Sequence, residues 1–186
     1  GTSIYFPNTV IPMLPEIISN NICSLVPNKK RNALICKIIF NLNGDIETYK
    51  FFEALICSFK RFTYNEIESN SHNDLQISGS INNLKKLTNV LLHKRLQRNA
   101  LEINSTEPSV NIDNNGNVLG INMVKKLFAH QMIEESMVAA NICAAKFLRK
   151  NYQYGIYRVH EEPETLKIEN LKKFFSLKGY LSQKNI

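Results

Sequence analysis

The sequence predicts an α+β fold in which antiparallel β-hairpins pack with long helices. Two hairpin-type loops, Asn43-Gly-Asp45 and Asp113-Asn-Asn-Gly-Asn117, interrupt β-branched runs. Two longer stretches, Ile81–Arg98 and Val124–Lys150, repeat apolar residues at helical spacing. Hairpins and helices alternate along the chain, which disfavours an all-helical or all-β architecture. At 186 residues the chain has room for one domain with a genuine core.

Thr2–Glu16 opens the chain and contains Pro7, Pro12 and Pro15. Each ring fixes φ, removes a backbone donor and pushes the preceding residue towards an extended shape. The segment is therefore expected as a stiff, extended ribbon carrying Tyr5 and Met13. On these residues alone Tyr5 reads either as packing on an edge segment or as a ring held still against a ligand. Ala33–Asn41 is apolar, β-branched and too short for a buried helix, so it is predicted as a strand. The arm from Ile46 to about Lys60 is expected to pair back on it. Glu66–Ser80 is polar, with Ser, Asn, His and Gly, and is expected as a loop.

Ile81–Arg98 places Leu84, Leu87 and Leu91 on one helical stripe, with Lys85, Lys86, Lys94, Arg95 and Arg98 over much of the rest. Such a face is either solvated or turned towards phosphates. Val110–Ile121 is predicted as the second hairpin. In Val124–Lys150, Met132, Ile133, Met137, Ala140, Ile142 and Ala144 are expected to form the packing face. Gly155 is expected to break the chain before a short strand, Ile156–Val159. Glu164–Leu177 reads as an amphipathic helix ending near Gly179.

Composition narrows the functional classes. No apolar run is long enough to cross a bilayer, and the first residues lack the pattern of a signal peptide. Cys23, Cys36, Cys57 and Cys143, like His72, His93, His130 and His160, are scattered without zinc spacing, as expected for reduced thiols of a cytoplasmic protein. The net charge of +7 suits a polyanionic partner, although AT-biased coding would also enrich Asn, Lys and Ile.

Several blocks in order along the chain carry a family likeness. They are Thr2–Glu16 with Cys23-Ser-Leu25, Arg31 to Asn43-Gly-Asp45, Tyr49–Ala54, Lys60-Arg-Phe-Thr-Tyr64, Arg98–Glu102, Ile112–Asn117, Ala129–Ala145, and Tyr157-Arg-Val-His160 with Pro163. Together they resemble the catalytic RNB domain of the ribonuclease R and ribonuclease II family, and ribonuclease R more than ribonuclease II. The resemblance implies a partial RNB domain from a processive 3′→5′ exoribonuclease that hydrolyses single-stranded RNA to nucleoside 5′-monophosphates. It also implies that Mg²⁺ serves the intact enzyme, held by an upstream aspartate cluster. That cluster is absent from this chain, as are the downstream arginine motif and the S1 module. The chain is thus expected to be an internal piece of a longer enzyme, or the product of a broken gene, and to be inactive alone. Its expected partners are the 3′ end of single-stranded RNA and the missing parts of the same enzyme, with no membrane. The rival expectation is a non-catalytic RNA-binding or degenerate remnant.

The resemblance assigns three residues to RNA. It implies that Tyr5 lies beside the terminal nucleotide, where base stacking contributes about 1–3 kcal/mol per base without demanding sequence. It places Tyr64 near a ribose, where a phenol can meet the 2′-hydroxyl that distinguishes RNA from DNA. In an extended Arg61-Phe-Thr-Tyr64, Phe62 and Tyr64 would share one side, which equally fits an ordinary cross-strand aromatic. It gives Glu134 to the terminal or penultimate ribose. Glu134 is expected amid Ile133, Met137 and Val138, where a carboxylate needs a hydrogen-bonding partner. Glu135 points about 100° away on a helix and is expected to be structural. An unrelated hydrolase built on these two glutamates lacks a nucleophile or metal set. Lys126 and His160 are secondary RNA-contact candidates, His160 first as a structural hydrogen-bonder. Lys126-Leu-Phe128 departs from the more polar family pattern, which puts local RNA contacts and the start of the helix in question.

Overall fold

The computed structural model describes residues 2–69, 75–100, 107–113, 115–152 and 154–179. They fall into two compact units, residues 1–147 and 148–186. The first unit opens on a small antiparallel pair, β1 (Ile4–Tyr5) and β2 (Val10–Ile11), with Ile4 opposite Ile11 and Tyr5 opposite Val10. The expected ribbon therefore doubles back. Pro7 lies in the turn, where Phe6 N–H donates to the Thr9 carbonyl at 2.9 Å. A π-helical turn, Ile17–Ile22, follows the last proline. Arg31 fastens this turn to the next strand. Its Nε donates to the carbonyls of Asn21 and Ser24 at 3.1 and 3.0 Å, and its Nη2 to Asn21 Oδ1 at 3.3 Å.

The two predicted hairpins are present. β3 (Lys30–Phe40) pairs with β4 (Ile46–Cys57), and β5 (Glu107–Ile112) with β6 (Val118–Val124). Their five-residue loops share one construction. Asn41 Oδ1 accepts from the backbone N–H of Asn43 and Asp45, both at 2.9 Å. Asp113 Oδ1 accepts from Asn115 and Asn117 at 2.9 and 2.8 Å. The fourth residue of each loop, Gly44 or Gly116, has φ of +78° or +88°. A side-chain acceptor at the first position and a left-handed residue at the fourth close both turns locally.

Three expectations are corrected. Glu66–Ser80 is not one loop: α1 (Tyr64–Glu68) runs into it and α2 (Leu75–Gln97) begins inside it, while residues 70–74 lie outside the described residues. The missed signal is a capping box in which Thr63 Oγ1 accepts from Glu66 N–H at 3.2 Å and Glu66 Oε2 accepts from Thr63 N–H at 2.7 Å. Ile156–Val159 forms no strand, because it finds no pairing partner among the described residues and its apolar side chains stand in solvent. α3 (Phe128–Asn151) buries Ala129, Met132, Glu135, Ala139 and Cys143. Of the expected packing face Met132 is buried and Ala140, Ile142 and Ala144 are half-buried, whereas Ile133 and Met137 are exposed, so the inward stripe is rotated from the expected one.

The core of the first unit lies where the buried stripe of α3 meets α2 and the β3–β4 hairpin. Phe51 and Phe147 rings pack at 5.2 Å between centroids. Burial, reinforced by nearby Cys36, pushes the Cys143 thiol up. Thr88 is buried on α2 and donates to the Leu84 carbonyl at 2.8 Å, so its hydroxyl is satisfied. The Gly44 turn is pinned against α2 by an ion pair between Lys94 and Asp45. In the second unit, α4 (Thr165–Leu177) starts after Glu164 and ends before Gly179 at φ +73°, as predicted, with none of its residues buried. No helix among the described residues is long and apolar enough to cross a membrane.

The two glycine loops separate backbone strain from packing. A Cβ at Gly44 would stand 2.9 Å from Val90 Cγ1, whereas one at Gly116 would meet nothing within 4 Å. Gly116→Ala is expected to lose about 1–2 kcal/mol from its left-handed φ alone. Gly44→Ala adds overpacking and is expected to lose about 2–5 kcal/mol. Urea unfolding midpoints at constant m value measure both.

Candidate functional site

Charge and aromatic surface converge where α1, the end of α2 and the first turns of α3 meet. α1 brings Tyr64, and the Tyr64 ring stacks on His130 with centroids 4.0 Å apart and planes 26° from parallel. Tyr64 opens a helix rather than continuing an extended strand, so the expected alternation with Phe62 does not hold. Thr63 is the extended residue, at φ −84° and ψ 159°, and its capping box starts the helix there.

His130 is held in turn by Leu127 N–H, which donates to its Nδ1 at 3.1 Å. Ala129 N–H, a first-turn donor of α3, is accepted by Glu68 Oε2 at 3.1 Å. A carboxylate at this end satisfies an orphan backbone donor and complements the helix dipole. The start of α3 is therefore well made despite the apolar Leu127 and Phe128.

One turn along α3 from His130, Glu134 meets two cations. Lys126 Nζ donates to its Oε2 at 2.5 Å and Arg95 Nη1 to its Oε1 at 3.3 Å. The same Arg95 nitrogen donates to Glu135 Oε1 at 2.8 Å. Lys126 above all, helped by Arg95, holds the Glu134 carboxyl below the usual carboxylate range, although burial pushes the other way. Glu135 and then Glu134 raise the Arg95 guanidinium further. The side chain of Glu134 is 38% exposed, whereas that of Glu135 is 5% exposed. The buried carboxylate of this pair is Glu135, in keeping with its expected structural role, and Glu134 looks outward.

The structure thus brings together Tyr64, Glu134 and Lys126, and adds His130 and Glu68, which sequence reasoning gave no role at a site, and Arg95, which it read only as part of a basic face. Tyr5 belongs to the same unit, on β1, and is 78% exposed. No contact among the described residues ties its ring to Tyr64 or Glu134. His160 lies in the second unit, exposed and outside any helix or strand.

Among the described residues no group of three or more His, Cys, Asp or Glu side chains is placed to hold a metal ion. Glu134 and Glu135 already take cationic side chains as partners. This donor set does not fit Mg²⁺, so the chemistry available here is stacking, hydrogen-bond acceptance and charge.

The sequence matches the RNB domain family model over residues 1–186. Ribonuclease R from Buchnera aphidicola subsp. Schizaphis graminum is 37% identical over 186 residues, covering 96% of this chain and 26% of the relative. Mycoplasma genitalium RNase R in complex with ribose-methylated single-stranded RNA superposes with a TM-score of 0.88 at 32% identity, over 95% of this chain and 28% of that one. The same enzyme in complex with double-stranded RNA gives 0.87 at 33% identity, over 95% and 32%. The chain spans about a quarter of the length of the curated relative it matches.

Two measurements check the ion cluster. Arg95→Met strands the buried Glu135 carboxylate and is expected to lose about 3 kcal/mol in chemical denaturation, while Arg95→Met with Glu135→Leu recovers most of it. The depressed Glu134 group adds stability that is fully present above its unfolded value of about 4.3. That stability is lost as pH falls through its lower folded value. Glu134→Gln is therefore expected to flatten the acid limb of a stability–pH curve below about pH 4 and leave the neutral region's slope unchanged.

Proposed function

Because the chain belongs to the RNB domain family, we propose that it forms the RNA-gripping part of a 3′→5′ exoribonuclease that hydrolyses single-stranded RNA to nucleoside 5′-monophosphates. The observation that carries this reading is a half-exposed tyrosine stacked on His130, which lies one helical turn from a carboxylate kept ionised by two cations. The RNA complexes of the related enzyme support RNA as the polymer.

Each element has a task that its chemistry suits. One face of Tyr64 lies on His130, and the ring remains 45% exposed. The rest of the ring is offered to a base or a ribose, and its hydroxyl to a 2′-hydroxyl. Ionised Glu134 accepts hydrogen bonds only, which matches the donor hydroxyls of a terminal ribose. Lys126 and Arg95 offset its charge, so neighbouring phosphates meet a nearly neutral cluster. Tyr5 supplies a second, exposed ring for a terminal base.

Hydrolysis is assigned to groups outside this cluster. In the family resemblance, Mg²⁺ belongs to an aspartate set, and the aspartates of this chain, at 45, 74 and 113, are scattered. Asp45 is engaged by Lys94, and Asp113 closes a hairpin loop. On this reading the 186-residue chain binds RNA without cutting it.

Fluorescence anisotropy with matched RNA and DNA oligonucleotides tests the grip. Tyr64→Ala is expected to weaken RNA binding about 5- to 100-fold. Glu134→Gln is expected to narrow the preference for RNA over DNA. Incubation of the unaltered chain with Mg²⁺ and a 5′-labelled RNA should leave the label at full length, and a ladder of products shortened from the 3′ end would refute the division of labour.

A further inference from the structure

We propose that Arg149, Lys150, Tyr152, Tyr157 and Arg158 form a second contact strip for single-stranded RNA, within the unit of residues 148–186. The proposal rests on the reading that this chain grips RNA, and it concerns surface that the Tyr64–Glu134 cluster does not use. Arg149, Lys150, Asn151, Tyr152 and Tyr157 line one open hollow of about 610 Å³. Arg158 follows Tyr157 directly in sequence.

The charge of the strip is available. Among the described residues, Arg149, Lys150 and Arg158 make no ion pair with a carboxylate. Glu161, Glu162 and Glu164 come after the strip and bound it on the chain, and Glu164 is itself paired with Lys167 at 3.5 Å. The C-terminal end of the α3 dipole also favours cations there. Arg149 and Lys150 are therefore held at a fixed position by a helix rather than carried on a loose tail.

The rings are also placed, not merely present. A Cβ at residue 155 would lie 2.7 Å from Tyr157 Cε2 and 2.9 Å from its hydroxyl oxygen. Glycine leaves room for the Tyr157 ring to fold back over the backbone at that point, and the ring lines the hollow together with Arg149 and Lys150. The role expected of Gly155, a break before a strand, is replaced by this packing one. Tyr152 and Tyr157 remain 59% and 48% exposed. Exposed aromatic rings beside cations are what a flexible polyanion with stackable bases requires. A duplex hides its base faces, and an acidic peptide has no use for stacking.

The test is anisotropy of the full chain with a labelled 12-nucleotide RNA across a salt series, each variant first checked for unchanged circular dichroism. Arg149→Ser with Arg158→Ser should lower the slope of log K against log salt by about 1.4, the value for two phosphate contacts on a single strand. Tyr157→Ala should weaken binding about 5- to 100-fold, and Tyr157→Phe should bind as the unaltered chain does. If the arginine pair changes the slope while Tyr157→Ala does nothing, the surface is only electrostatic and the stacking strip is refuted. If all these variants bind normally while Tyr64→Ala fails, the strip is refuted and the Tyr64–Glu134 reading stands. An unaltered chain with no affinity for RNA overturns both.

Discussion

Glu135 is the constraint from which the rest of the first unit is arranged. It lies on the buried stripe of α3, in line with Met132, Ala139 and Cys143. A carboxylate there is tolerable only if a cation with satisfied geometry comes to meet it. Arg95 does so from the last turn of α2, 40 residues earlier in the chain. That contact helps to fix which face of α3 turns inward and how far along α3 the end of α2 must lie. With the rotation set, Glu134 necessarily emerges on the flank, within reach of both Arg95 and Lys126. The outward carboxylate is positioned by the inward one.

The same logic explains what the sequence disclosed and what it hid. Both hairpin loops were legible because their closure is local. An Asn or Asp at the first position, a Gly at the fourth and the returning strand all lie within a few residues. The C-terminal limit of α4 was legible for the same reason, in Gly179. α1 carried an equally local signal in Thr63 and Glu66, masked by the polar, strand-like residues around it. The rotation of α3 was not local. Ile133, Met137 and Val138 are also apolar, and it takes tertiary contacts, the Glu135–Arg95 pair and the packing of Phe147 on Phe51, to choose the other face. Ile156–Val159 shows the converse error, since β-branched composition does not make a strand without a neighbour to pair with.

The candidate site divides along that line. Tyr64 and Glu134 were reached through family resemblance and Lys126 through its charge, not through geometry. The stack of Tyr64 on His130 depends on α1 folding as a helix against the start of α3, which Glu68 secures by taking the Ala129 N–H. His130 stands far from Tyr64 in the chain, because the stretch between α1 and α3 includes a long helix and a hairpin, and Glu68, though four residues after Tyr64, finds its partner only across that gap. Tyr5 was legible as an exposed ring on proline-stiffened chain, but its relation to Tyr64 is a tertiary matter on which sequence is silent.

The electrostatics of the cluster bear on why gripping and cutting would reside in different residues. Two carboxylates close together could have served as metal ligands, but Arg95 touches both and Lys126 touches one. Two negative and two positive side chains leave the cluster close to neutral, and a divalent cation gains little from entering it. A ribose asks for something different: a fixed acceptor that remains ionised and does not repel the adjoining phosphates. Glu134 can satisfy both requirements only because its charge is stabilised by partners that the RNA need not displace. Removing those cations would free the carboxylates for a metal. It would also bury an unpaired charge at Glu135, so the fold itself resists converting this cluster into a metal site.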